Sequence, residues 1–101
     1  MSTILVTIGR IAEGGEDALR RYAEGTMPII SAFGGTVVSR LRPTETVVGL
    51  ENGDRPDLVA VIRFESENTI RAFLDSTDYQ KQEIHRDAAF SQIHSYIAAE
   101  L

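Results

Sequence analysis

Residues 75–86, with the sequence DSTDYQKQEIHR, place a serine, a tyrosine, a glutamate, a histidine and an arginine close together. Side chains of these types act as nucleophiles, proton carriers and anion-binding groups in enzymes. A nucleophilic serine needs a base and an oxyanion hole, and the sequence has no G-x-S-x-G elbow. Ser76 or Thr77 instead stands where a helix would begin, with Gln80 three residues beyond Thr77, as in a capping box. The pattern favours helix capping over nucleophilic catalysis.

Tyr79, Glu83 and Arg86 follow at four- and three-residue steps, which would place them on one helix face. In one interpretation, Tyr79 packs against a sheet while Glu83 and Arg86 pair at the surface. In the other, Tyr79 and Arg86 line the mouth of a pocket and hold an anionic or carbonyl ligand. His85 is adjacent to Arg86 and therefore points elsewhere on the helix.

His94 lies in a predicted strand, on the same side as Phe90 and Tyr96 by alternation. His85 and His94 stand on different elements and lack the helical H-x-x-x-H spacing, so we predict no metal site. His94 would act either as a general base on a sheet face that lines a cavity or as a hydrogen-bonded interface residue.

Arg63 interrupts an otherwise apolar strand, and a charge in such a position must be paired or hydrated. It shares its face with Val59 and Val61, and we expect it to pair with Glu51. That pair would be either purely structural or part of a ligand site.

The composition excludes several classes of protein. The chain has 101 residues, which predicts a single domain over residues 1–101. Its formal net charge of −5 argues against a nucleic-acid partner. There is no cysteine, and the first ten residues resemble neither a signal peptide nor a membrane span, so we expect a cytoplasmic protein without a membrane partner. EGGEDA and FGGTVV lack a phosphate-loop pattern, so we predict no cofactor.

Hydrophobic periodicity predicts the elements that must position these residues. The predicted strands are 3–10, 36–42, 58–65 and 90–98, with an extended segment at 44–51, and the predicted helices are 16–33, 67–74 and 79–88. Ser66 would cap the second helix, and Gly34 would end the first in a left-handed conformation. Pro28, three residues after Gly25, predicts a kink or a break in the first helix near 25–28.

The order β-α-β-(β)-β-α-α-β is typical of a ferredoxin-like split βαβ sandwich of the α+β class. An antiparallel sheet would carry helices on one face. Its other face would keep apolar side chains, and the chain offers no further helix to cover them. We therefore expect a homodimer in which two sheets pack against each other around a two-fold axis.

Four segments resemble domain-of-unknown-function family 1330 (DUF1330): the helix that ends in FGG, then GLENG, VAVIRFES and DSTDYQ. That family belongs to the dimeric α+β barrel superfamily, together with small monooxygenases of the antibiotic-biosynthesis type. The resemblance covers nearly the whole chain. It implies a homodimer whose sheets form a barrel, and no established reaction. The family's recurring polar positions correspond here to Tyr22, Glu51, Ser76, Tyr79 and Arg86. The chain departs from the family pattern after Tyr79, so the resemblance implies no substrate.

Three functional hypotheses follow. The first is a small cytoplasmic homodimer that binds a small organic molecule in a cavity between sheet and helices, with Tyr22, Glu51, Arg63, Ser76 and Arg86 as ligand-binding residues. The second is a cofactor-independent monooxygenase or isomerase acting on an aromatic or carbonyl compound. There Tyr79 and His94 would handle protons, and Arg63 or Arg86 would hold the developing negative charge. The third is a purely structural dimerisation module.

Overall fold

The computed structural model describes residues 2–49 and 55–101. Its strands are β1 (Thr3–Ile11), β2 (Thr36–Leu41), β3 (Leu58–Phe64) and β4 (Phe90–Ala98). Its helices are α1 (Glu16–Ala32), α2 (Glu67–Asp75), α3 (Thr77–Gln80) and α4 (Glu83–Ala89). The strands agree with those predicted from alternation to within one residue at each end.

The strands form one sheet in the order β2-β3-β1-β4, and every neighbouring pair is antiparallel. The first strand along the chain therefore lies inside the sheet, between the third and the fourth. This is the predicted ferredoxin-like arrangement, in which a helix connects β1 to β2 and the remaining helices connect β3 to β4.

The two faces of the sheet have different environments. Leu5, Ile62 and Phe64 point toward the helices and are buried in a core that also contains Ile30 and Phe73. Residues directly opposite each other in neighbouring strands share a face, so the register assigns the other side chains. The face away from the helices, called the open face below, carries Ile4, Val6, Ile8, Leu41, Val59, Val61, Arg63, Gln92, His94 and Tyr96. Leu41 and Tyr96 on this face are more than half exposed.

The sequence predicted a kink or a break near 25–28. Helix α1 runs without a break from Glu16 to Ala32, so the second of these alternatives is wrong. Pro28 lies on the exposed side of the helix. Because proline has no N–H, the backbone carbonyl of Glu24 has no helical partner, and water can hydrate it there. The predicted helix end is confirmed. Gly34 adopts a φ of 75°, and the Gly35 N–H donates to the Ile30 carbonyl at 2.8 Å.

Two predictions near the second half of the chain need correction. The helix predicted over 79–88 is divided into α3 and α4 by a turn at 81–82. Phe90 does not share a face with His94, because the β1–β4 register shifts between Arg10 and Ile11 and turns Phe90 toward the helices.

The segment 44–49 contains no strand residues, so the extended element predicted at 44–51 is not formed there. The rest of that prediction, residues 50–51, lies outside the described residues. Ser66 caps α2 as predicted, since its Oγ accepts a hydrogen bond from the Thr69 N–H at 3.2 Å.

Candidate functional site

A cavity of about 80 Å³ lies between helix α1 and the sheet. It borders the face of the sheet on which the helices pack, called the covered face below. Helix α1 presents to the cavity a stripe of side chains at three- and four-residue steps, including Leu19, Tyr22, Thr26 and Ile30. The Thr26 hydroxyl donates to the Tyr22 carbonyl at 2.7 Å, so its proton is used within the helix. The sheet contributes Leu5, Thr7, Val37, Arg40, Leu58, Ala60, Ile62, Phe90 and Ser95. The wall is therefore mostly apolar, with a few polar groups.

Ser76 positions Tyr79 at this cavity. Its Oγ accepts a hydrogen bond from the Tyr79 N–H at 3.1 Å and donates to the Phe73 carbonyl at 2.7 Å. Ser76, one of the two predicted candidates, is thus the N-cap of α3, whereas Thr77, the cap of the predicted capping box, is the first residue of the helix. The Ser76 hydroxyl both donates to the backbone and accepts from it. The cap starts the turn that directs the Tyr79 ring into the core against Phe73, where it is 6% exposed.

The hydroxyls of Tyr22 and Tyr79 lie 2.8 Å apart and form a hydrogen bond between α1 and α3. Arg86 on α4 approaches the same Tyr79 hydroxyl, with its Nη1 3.5 Å away. Burial raises the pKa of the Tyr22 phenol above its ordinary value, and the neighbouring Tyr79 reinforces the shift. Tyr22 therefore remains protonated at neutral pH.

Arg86 is held by two carboxylates. Its Nη2 lies 2.9 Å from Glu83 Oε2, and its Nε lies 3.2 Å from Asp87 Oδ1. Burial acts to lower the pKa of the guanidinium, but the contacts with Tyr79 and Asp87 outweigh it, so the pKa is raised and Arg86 stays charged. Tyr79 and Arg86 are in contact although they lie on separate helices. The ion pair between Glu83 and Arg86, predicted from their spacing as a surface pair, is also present.

A wider depression of about 440 Å³ adjoins the cavity and shares Leu74, Tyr79 and Ser95 with its wall. Glu83, Arg86 and Asp87 also line this depression. Tyr79 therefore lies between the apolar cavity and the charged depression. Such a combination of apolar walls with a few placed polar groups is typical of small-molecule sites.

Two of the predicted residues lie elsewhere. Arg63 and His94 are on the open face, on the opposite side of the sheet from Tyr79, so the three do not face one cavity within a protomer. Arg63 Nε donates to Glu100 Oε1 at 3.1 Å and lowers the pKa of that carboxyl group. His94 stacks near Tyr96, with ring centroids 6.4 Å apart. Glu51, the predicted partner of Arg63, lies outside the described residues.

Several residues of the cavity wall were not predicted as site residues. Phe90 packs edge-to-face on Tyr22, with ring centroids 6.2 Å apart. The hydroxyls of Thr7 and Ser95 pair at 2.9 Å across β1 and β4. Alternation along both strands could have placed this pair on the covered face. Nothing local in the sequence indicates that Tyr22 meets Tyr79, because the two residues are far apart along the chain.

Within residues 2–49 and 55–101, no three histidine, aspartate or glutamate side chains come together as a metal site requires. None of the described helices combines the length and the apolar character needed to cross a membrane.

The comparisons with known proteins concern the family and the fold. The family model described as "Domain of unknown function (DUF1330)" matches residues 7–99. Among curated proteins, none matches this chain.

Similar solved structures include a protein of unknown function from Rhodopseudomonas palustris, with a TM-score of 0.87 and 18% identity over 99% of this chain and 82% of that one. A dimeric ferredoxin-like protein of unknown function from Jannaschia has a TM-score of 0.73 and 10% identity over 99% and 100% of the two chains. A dabb family protein with a ferredoxin-like fold from Mesorhizobium loti has a TM-score of 0.70 and 13% identity over 99% and 97%. At these identities the likeness concerns the fold, and it agrees with the ferredoxin-like architecture described above.

Proposed function

The chain belongs to the DUF1330 family, and on that premise we propose that it is a homodimer that binds a small, largely apolar organic molecule between helix α1 and the sheet. The observation that carries this proposal is the apolar cavity of about 80 Å³ with paired phenol hydroxyls in its wall. Natural protein interiors are close-packed, so a cavity of this size with oriented polar groups favours ligand binding.

The volume limits the size of the ligand. A water molecule needs roughly 10–15 Å³ when volume is counted this way, so the cavity has room for about five to eight waters. A molecule with a single ring fills such a space. The adjoining depression would admit the ligand or accommodate a polar substituent.

A thermal-shift screen of single-ring compounds tests binding. A ligand present at 100 times its Kd should stabilise the protein by about 2.7 kcal/mol, and the shift should grow with ligand concentration. The variant Ala23→Leu would fill the cavity and should abolish the shift, because Ala23 lines the wall. Ala32→Leu is the matched control, since Ala32 lies on the same helix but is exposed. If no compound shifts the melting temperature of the unmodified protein, the proposal of ligand binding fails.

The apolar open face supports the homodimer. Val6, Ile8, Val59 and Val61 lie side by side in the two central strands, and the described helices all pack on the opposite face. A contiguous apolar area on a small protein marks an interaction surface. The dimeric description of the Jannaschia protein is consistent with a second copy as the partner.

Light scattering coupled to size-exclusion chromatography tests the dimer. We expect a mass of twice 11.1 kDa. Val61→Asp should yield the monomer, because it would bury a carboxylate between the two sheets. Ile84→Asp is the control: Ile84 is 72% exposed on the helical side, and the variant should stay dimeric. A monomeric unmodified protein would refute the homodimer, and a dimeric Val61→Asp variant would refute the assignment to this face.

Catalysis is a second candidate, because the Tyr79 hydroxyl beside the charged Arg86 would polarise a bound carbonyl group. An isomerase acting through an enolate would exchange hydrogen for deuterium at the carbon next to that carbonyl. Exchange of a bound ketone in heavy water, followed by NMR, tests this activity. Exchange no faster than in buffer alone would exclude it for that ketone and leave simple binding.

A further inference from the structure

We propose that the cavity recognises an uncharged carbonyl oxygen, which accepts a hydrogen bond from the Tyr22–Tyr79 phenol pair, and that it discriminates against carboxylates. This inference rests on the proposed ligand-binding function and specifies the chemical class of the ligand. A ligand with an apolar ring and one carbonyl group, such as an aryl ketone, meets the requirement.

The phenol pair has one more hydrogen-bond donor than its internal bond uses. Tyr22 and Tyr79 each carry one hydroxyl proton, and the single bond between their oxygens uses one of the two protons. Arg86 has no acceptor function, so its N–H directed at the Tyr79 oxygen is a further donor. Whichever phenol donates within the pair, one phenol proton is left over. Among the described residues no side-chain or backbone acceptor is bonded to it, and both rings line the cavity. The pair therefore offers a donor to a ligand that accepts.

Two acidic side chains surround Arg86 beside the phenol pair. Its guanidinium already contacts two carboxylates, Glu83 at 2.9 Å and Asp87 at 3.2 Å. One positive charge against two negative charges leaves a net negative cluster beside Tyr79. A carboxylate ligand placed there would be repelled by both acids, although water screens part of this repulsion because the side chains of Glu83 and Asp87 are 41% and 70% exposed. An uncharged carbonyl oxygen takes the same hydrogen bond without that penalty.

The wall of the cavity is mostly apolar and partly aromatic. Tyr22, Phe73 and Phe90 present aromatic surface, and the Thr26 proton is used by the helix backbone. This lining suits an uncharged ring, because an ionised ligand would lose its hydration on entry. Two other polar features of the wall must be distinguished from the phenol pair. They are Arg40 on β2 and the paired hydroxyls of Thr7 and Ser95.

Three probes of similar size separate these possibilities: acetophenone, which carries a carbonyl group; ethylbenzene, which has no acceptor; and benzoate, which is anionic. Titrations followed by NMR on the intact protein give a Kd for each. We expect acetophenone to bind at least tenfold more tightly than either of the other two. This comparison within the unmodified protein requires no variant to fold.

Variants then assign the hydrogen bond. In the double variant Tyr22→Phe/Tyr79→Phe, the preference for acetophenone over ethylbenzene should fall to within about twofold. Tyr96→Phe is the matched control, because Tyr96 lies on the open face, and it should keep the full preference. Ser95→Ala should also keep it. Loss of the preference in Ser95→Ala with retention in the double variant would overturn the assignment to the phenols.

The possible failures are distinguishable. If acetophenone and ethylbenzene bind equally well, carbonyl recognition is refuted while binding in the cavity stands. If benzoate binds most tightly, and Arg40→Gln or Arg86→Gln removes that affinity, the site is an anion site and the inference is refuted. If none of the three probes binds, carbonyl recognition is refuted, and the separate single-ring screen decides whether binding in the cavity fails with it.

Discussion

Removal of the Tyr22 hydroxyl should change the stability of the protein at alkaline pH in a way that no exposed tyrosine can reproduce. Burial raises the pKa of this phenol in the folded state, whereas in the unfolded chain it titrates near its ordinary value of about 10. A group whose pKa is raised on folding contributes stability that is complete below the unfolded pKa and is lost as pH increases. Tyr22→Phe removes that dependence.

The size of the effect follows from the linkage relation. The folded state keeps the Tyr22 proton throughout the accessible range, so only the unfolded chain gains free energy by ionising. With an unfolded pKa of about 10, the loss is RT ln 2, about 0.4 kcal/mol at pH 10, and RT ln 11, about 1.4 kcal/mol at pH 11. At pH 8 the variant should differ from the unmodified protein only by the lost bond to Tyr79, a net cost of about 0.5–1.5 kcal/mol.

Urea unfolding at pH 8, 10 and 11, at one fixed protein concentration, measures these free energies. The free energy of unfolding of the unmodified protein minus that of Tyr22→Phe should fall by about 1.4 kcal/mol from pH 8 to pH 11, so that the variant becomes as stable as the unmodified protein or more stable. Phe33→Leu is the control, because Phe33 packs against the core but carries no ionisable group, so its variant should show a constant difference. A Tyr22→Phe difference that stays constant to pH 11 would mean that the phenol titrates as it does in water. The burial argument for the cavity wall would then be wrong.

Three further substitutions test the local structure through the urea midpoint. Ser76→Ala should lower the free energy of unfolding by about 1 kcal/mol by removing the cap of α3, whereas Thr77→Ala should have little effect. Equal losses in the two variants would contradict the assignment of the cap. Gly35→Ala should lower the free energy of unfolding by about 1–3 kcal/mol, since a Cβ there would lie 2.8 Å from the buried ring of Phe64. An unchanged stability would refute the tight contact. Pro28→Ala should stabilise the protein by about 1–2 kcal/mol, because the exposed proline deprives α1 of a backbone hydrogen bond, and a loss of stability would show that the ring is needed.

Alternation and helical periodicity were sufficient to predict the strands and α1, because one face of each element is buried and the pattern reports that face directly. Ser66 was predictable as a cap, and the cap of α3 could be narrowed to Ser76 or Thr77, because capping depends on residues two or three positions apart. Gly34 was predictable as the end of α1 because a left-handed helix end favours glycine and depends only on local sequence. The family resemblance is confirmed by the match over residues 7–99.

The errors arise where tertiary structure overrides a local pattern. The turn at 81–82 separates α3 from α4, although the spacing of Tyr79, Glu83 and Arg86 fits a single helix. The register shift near Ile11 moves Phe90 to the covered face, and no alternation rule signals such a shift. The candidate site depends on contacts between residues far apart in the sequence. The pattern of a segment therefore predicts which of its side chains are buried, but not which residues of other segments those side chains contact.

The position of β1 inside the sheet has a consequence for biosynthesis. Its two hydrogen-bonding edges are occupied by β3 and β4, and β4 follows all the other described strands in the sequence. While a ribosome is still making the second half, β1 would present a free apolar edge on one side, and free strand edges favour association between chains. The first strand must therefore be kept from associating with other chains until β4 has been synthesised, and a chain truncated before β4 should aggregate rather than fold.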